Sequence, residues 1–175
     1  MSLNKLTIAA LVVIIAALTY FASKPAEKQP VRQSDYFAVY GIDVHNQVYK
    51  PEIHYYVKIP NDVPLKERLQ TLADRISRFK FSRLPVNVMK IDDTNGKKVA
   101  IIDLRESDPK SSKTWRSDYF QGSVGGKATT VTLLNTFQQN DSKDSWIDEV
   151  RFYYNGQPLS SDRWDHIPGL CSDAF

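Results

Sequence analysis

Eighteen consecutive uncharged residues lie between Lys5 and Lys24, most of them Leu, Ile, Val or Ala. As a helix they reach roughly 27 Å, close to the ~30 Å hydrocarbon layer of a membrane. A core helix would keep a polar stripe, and this run is apolar on every side. The expectation is a signal anchor, or transmembrane helix, over residues 1–24, with residues 6–23 in the lipid. The competing reading is a cleavable leader. It is weakened by Tyr20, a bulky residue where cleavage wants a small one. No Cys follows the run, so a lipid attached through a thiol is excluded. The basic residues flanking the run do not fix its orientation. An anchor this near the N-terminus usually leaves the rest of the chain to be exported. Residues 25–34 carry Pro25 and Pro30 and no apolar cluster, and read as a partly extended linker.

Charge separates the chain in the same place. The net charge is +3, yet residues 35–175 hold 19 basic and 19 acidic residues. The excess belongs to Lys5, Lys24, Lys28 and Arg32, set against Glu27. A neutral domain lacks the electrostatic footprint of a nucleic-acid binder. Cys171 is the one cysteine, which excludes a disulfide framework and a zinc site built on cysteine pairs.

Period and turn chemistry outline residues 35–175. Residues 36–43 (YFAVYGID) are aromatic and β-branched, as strands are. Ile53, Tyr55, Val57 and Ile59 alternate with Glu52, His54, Tyr56 and Lys58, giving a second strand with one apolar face. Pro60 and Pro64 end it. Leu65, Leu69, Leu72, Ile76 and Phe79 then recur at helical spacing and predict an amphipathic helix. Residues 86–91 and 99–104 flank Asn95-Gly96, a hairpin signal. Residues 107–118 read as a loop and 122–126 as a Gly-rich lead-in. A second helix over 127–139 follows, with Ala128, Val131, Leu134 and Phe137 on one face. Residues 147–154 close the series as a strand. Beyond it, Trp164 and Leu170 are expected to fold back. The order β-β-α-β-β-α-β predicts an α+β fold: one mixed or antiparallel sheet of about five strands, with two helices on one face.

This order and three stretches resemble the GerMN (sporulation and spore germination) domain of bacteria. Residues 86–104, VNVMKIDDTNGKKVAIIDL, are similar to that family's hairpin ending in an apolar–Asp–Leu strand. Residues 120–137, FQGSVGGKATTVTLLNTF, look like its Phe, Gly/Ser loop and helix, and residues 147–156, IDEVRFYYNG, like its closing strand and turn. The resemblance covers most of residues 36–159. It implies a GerMN-like extracytoplasmic domain over 35–175, held to the bacterial cytoplasmic membrane in a single pass. It implies an assembly role, and it transfers no catalytic residue.

The candidate chemistry is sparse. Gly122-Ser-Val-Gly-Gly-Lys-Ala invites a phosphate-loop reading. It has three residues where four are needed between the glycines, and Ala128 where a hydroxyl should meet Mg²⁺. What remains is a weak anion site at a helix N-terminus, formed by Ser123, Gly125 and Gly126. His45, His54 and His166 lack the spacing of a metal site, and Cys171 has no basic neighbour to activate it. No catalytic residue, cofactor or metal is assigned. Arg75, Arg78, Lys80 and Arg83 gather around Phe79 and Phe81. With Tyr56 they form a candidate surface for a partner or a glycan. The expected function is a non-enzymatic module for protein–protein association in an envelope complex, with other envelope proteins or with itself. The alternative is a peptidoglycan or other envelope-glycan binder. A hydrolase built on two carboxylates is the third reading, and it would need a pair at ~5–10 Å in one cleft.

Overall fold

The computed structural model describes residues 35–42, 50–107, 112–140, 146–164 and 167–171. The expected anchor and linker, His45 and His166 lie outside the described residues. No described helix is long and apolar enough to cross a membrane.

The element order is β1 (Tyr36–Ile42), β2 (Pro51–Lys58), α1 (Leu65–Lys80), β3 (Val86–Thr94) and β4 (Lys97–Leu104). A π-helical turn (Trp115–Tyr119) leads to α2 (Ser123–Gln138), β5 (Glu149–Tyr154) and the two-residue β6 (Gln157–Pro158). The α+β class and the order of β1, β2, α1, β3, β4, α2 and β5 follow the sequence reading. The single five-stranded sheet does not. β1 and β2 pair as a separate antiparallel hairpin, and β3-β4-β5-β6 form a mixed sheet in which β4 and β5 run parallel.

Two glutamines explain the split. The edge of β1 turned away from β2 meets Gln139, the residue capping α2. Ala38 N–H donates to Gln139 Oε1 (2.9 Å), and Gln139 Nε2 donates to Ala38 C=O (2.7 Å). Two residues on, Tyr40 N–H donates to Thr136 Oγ1 (3.0 Å). The free edge of β3 is closed the same way from α1. Gln70 Nε2 donates to Val86 C=O (3.1 Å) and Val88 N–H to Gln70 Oε1 (2.8 Å). A carboxamide offers a donor and an acceptor side by side, as a neighbouring strand would. These bonds occupy part of each edge, at Ala38 and Tyr40 of β1 and at Val86 and Val88 of β3, where a further strand would otherwise pair.

The turns obey their local chemistry. Asn95-Gly96 and Asn155-Gly156 all have positive φ (55°, 76°, 49° and 77°), the geometry of a two-residue hairpin turn. The β1–β2 and β3–β4 hairpins each carry a bulge. Val39 pairs with Tyr55 and Tyr40 with Ile53, which leaves His54 over; Val88 and Lys90 pair with Ile102 and Ile101, which leaves Met89 over.

One core joins the hairpin, both helices and the mixed sheet. α1 contributes Leu69, Leu72, Ala73 and Ile76, but Phe79, expected on that face, is 59% exposed. The helix reaches past the core by its last turn, and the ring packs sideways on Tyr55 instead (6.1 Å between centroids). Arg68 is buried on α1 with its guanidinium 5.6 Å from the Trp146 ring.

α2 departs further from expectation. It starts at Ser123, so Gly125 and Gly126 are helical and not part of a lead-in loop. Gly122 has φ 72° and takes the chain into the first turn. The buried face is Thr129, Thr132, Leu133, Thr136 and Phe137, while Ala128, Val131 and Leu134 are half-buried. Threonines can face inward here because backbone groups wait for them: Thr129 Oγ1 donates to Tyr119 C=O (2.7 Å), and Thr136 Oγ1 receives Tyr40 N–H.

Residues 112–118, expected as a loop, hold the π turn and the fully buried Trp115. Beyond β6 the chain packs back through Trp164, Leu170 and Cys171. The Cys171 thiol is buried, with Sγ 3.6 Å from Ile167 C=O. It is a packed thiol, closed to crosslinking.

Candidate functional site

The expected basic–aromatic surface is only partly assembled. Arg75, Arg78 and Lys80 share the C-terminal half of α1 with Phe79. Arg78 lies over the Phe79 ring (5.5 Å) and Lys80 over the Tyr55 ring (5.9 Å). Lys80 Nζ also meets His54 Nδ1 on the bulge of β2. Burial holds the Lys80 ammonium below its usual pKa. Burial raises the Tyr55 phenol, and the charge of Arg75 opposes that rise. Tyr56 does not join this group. Successive strand residues face opposite sides of the pleat. It stands 60% exposed on the face away from Tyr55. Arg83 sits in the turn beyond the helix, at φ 65°, and is exposed there.

Close packing at Gly41 ties this surface to the hairpin. A Cβ at Gly41 would fall 2.4 Å from the His54 ring. Gly41→Ala is expected to swing the His54 ring aside and release Lys80. An NMR titration of His54 reads this as changed ring shifts; unchanged shifts would refute the contact.

A second region is concave. The π turn, the N-terminus of α2, the β5–β6 turn and the segment after β6 enclose a cleft of about 800 Å³. Its lining includes Arg116, Gln121, Asn155, Gln157, Arg163 and Trp164, with no Asp or Glu among the described lining residues. The walls are held from behind. Asp103 is fully buried on β4 and accepts Gly156 N–H (2.9 Å) and Arg105 Nε–H (2.5 Å). Asn155 N–H donates to Leu104 C=O (3.0 Å), and Asn155 Oδ1 accepts Glu106 N–H (3.1 Å). Glu106 closes the other side. Its carboxylate accepts Trp115 N–H (3.0 Å), Arg116 N–H (3.3 Å) and Tyr154 O–H (2.6 Å). The Glu106 carboxylate is therefore occupied by three donors.

Tyr154 is the titratable group of this wall. Burial, then the hydrogen bond to Glu106, then the charge of Glu106 push its phenol well above the usual value. A folded-state pKa above the unfolded one favours folding while the phenol keeps its proton. That contribution is present below about pH 10 and fades as pH rises toward the folded value. Urea unfolding across pH 8 to 11 should show a steeper alkaline loss for the parent than for Tyr154→Phe. Parallel curves would refute it.

The expected anion site is narrower than the sequence implied. Gly126 N–H is spent on Gly122 C=O (3.0 Å) and its residue is buried. The backbone N–H groups of Ser123 and Gly125 belong to the first turn of α2, which no side chain caps. Gly122, at the head of that turn, lines the cleft. The cleft itself was not foreseen. Its residues span 116–164 and share no motif; Gly122, the Asn155-Gly156 turn and Trp164 each carried a local signal, and none of these pointed to the others. Among the described residues no three of His, Cys, Asp and Glu converge as metal ligands.

Compared with protein-family models, curated proteins and solved structures, the chain gives no match in any of the three.

Proposed function

We propose that residues 35–175 form a GerMN-like, non-enzymatic module displayed outside the bacterial cytoplasmic membrane, with residues 6–23 as its single-pass anchor. Its work is protein–protein association in an envelope complex. The observation that carries this reading is the exposed cluster where α1 meets β2. Phe79 stands out of the core between Arg75, Arg78 and Lys80, beside Tyr55. An exposed ring among guanidinium groups is the composition of a contact centre: Arg and aromatic residues are enriched where partners bury surface. The neutral charge of the domain and the apolar leader agree with display at a membrane.

Mild crosslinking of the full chain in native membranes tests the reading. The expected result is one discrete protein adduct, weakened by Phe79→Ala with Arg78→Ala, two exposed positions whose loss leaves the fold intact. An adduct unchanged by that pair would refute the surface. Retention on purified sacculi, abolished by changing Arg75 and Arg78, would establish the glycan reading in its place.

A further inference from the structure

We propose that the cleft between the π turn, the N-terminus of α2 and the β5–β6 turn binds an anionic saccharide: a sugar unit bearing a carboxylate or a phosphate. The site lies apart from Arg75 and Arg78, so its failure would leave the association reading standing.

Four observations converge on this ligand class. The first is charge. Arg116 and Arg163 both line the cleft, and neither forms an ion pair among the described residues. Glu106, the carboxylate behind the wall, is already held by Trp115 N–H, Arg116 N–H and Tyr154 O–H. Two guanidinium groups facing one cavity, with no acid among the described lining residues, give that lining an excess of positive charge. Guanidinium pairs with carboxylate or phosphate through two parallel hydrogen bonds.

The second is the remaining polar lining. Gln121, Asn155 and Gln157 bring carboxamides and Ser117 a hydroxyl. These groups both donate and accept, which suits the vicinal hydroxyls of a sugar better than an aliphatic acid. The third is the aromatic wall. Trp164 packs edge-on against Tyr154 (5.1 Å) and Phe120 (5.3 Å), so its ring is held in place. It is half-buried and lines the cleft, which leaves part of a flat apolar surface for the C–H face of a pyranose. The fourth is size. The volume falls within the range of small-molecule sites, ~300–1,000 Å³, and takes one or two sugar rings.

The geometry is also fixed before any ligand arrives. The Asn155-Gly156 turn is tied to β4 by Asp103 and Leu104, and the π turn is capped by Glu106. Prior order of this kind lowers the entropy cost of binding.

Titration calorimetry on the full chain in neutral detergent micelles, at low ionic strength, tests the proposal. The probes are digalacturonate and glucose 1-phosphate; cellobiose and inorganic phosphate are the controls. At least one anionic sugar should bind at least about tenfold more tightly than either control, and the tighter of the two names the acid group. Arg116→Gln with Arg163→Gln should weaken that binding by at least about tenfold, with an unchanged melting temperature, because both side chains are exposed. Cellobiose binding equally well would overturn the requirement for charge. Phosphate binding as tightly as glucose 1-phosphate would overturn the sugar. Unchanged affinity in the double variant, or no binding of either anionic probe, would overturn the site.

Discussion

Gln139→Ala should destabilise the domain by about 2–4 kcal/mol, although Gln139 is a polar side chain at the end of a helix. The change removes the partner of Ala38 N–H and of Ala38 C=O together, and also the bond from Gln139 Nε2 to Thr136 C=O. Ala38 and Gln139 are both buried, so water cannot replace what is lost. Each buried backbone group left without a partner costs about 1–3 kcal/mol. The backbone adds nothing to that difference: the parent and the Ala variant both carry a Cβ at φ 49° and bear the same strain. Glycine relieves that strain, worth about 1 kcal/mol, without restoring the carboxamide. Gln139→Gly should therefore recover only that amount. Urea unfolding gives both numbers, and hydrogen exchange at Ala38 locates the effect. If Gln139→Ala unfolds within about 0.5 kcal/mol of the parent, the account of the β1 edge is wrong.

Trp115→Ala should be more damaging, at about 3–5 kcal/mol. The ring is fully buried and touches Phe81 (4.8 Å), Tyr119 (5.6 Å) and Phe120 (5.6 Å). It is the centre of an aromatic chain that runs on through Phe120 to Tyr154 and Trp164. Its indole N–H donates to Arg105 C=O (2.9 Å), which pins the strand exit beside Glu106. Trp115→Phe keeps most of the packing and loses that bond, so about 1–3 kcal/mol is expected. The near-ultraviolet circular dichroism should collapse in the Ala variant and persist in the Phe variant. Equal losses in the two variants would mean that packing contributes little at this position.

These two residues also mark where sequence reasoning stops. Helix α1 was readable because Leu65, Leu69, Leu72 and Ile76 repeat at the helical period, a local property. The hairpins were readable because Asn-Gly adopts positive φ wherever it occurs. Helix α2 was harder. Its buried threonines give no apolar stripe, and they are buried because Thr136 Oγ1 accepts Tyr40 N–H, 96 positions away, and Thr129 Oγ1 donates to Tyr119 C=O. Trp115 stood in a polar stretch, and nothing beside it in sequence announced that Phe81, 34 positions back, would join Tyr119 and Phe120 in burying its ring.

The amino-acid order alone determined the order of the five longer strands and two α-helices, the Asn-Gly turns and the α+β class, because these rest on side-chain period and on backbone preferences acting within a few residues. The division into two sheets and the formation of the cleft were decided only in three dimensions. Gln139 reaches Ala38 across 101 positions, and Arg116 faces the same space as Arg163. A carboxamide or a guanidinium carries no sign in its own neighbourhood of which distant backbone edge, or which opposing charge, it will meet.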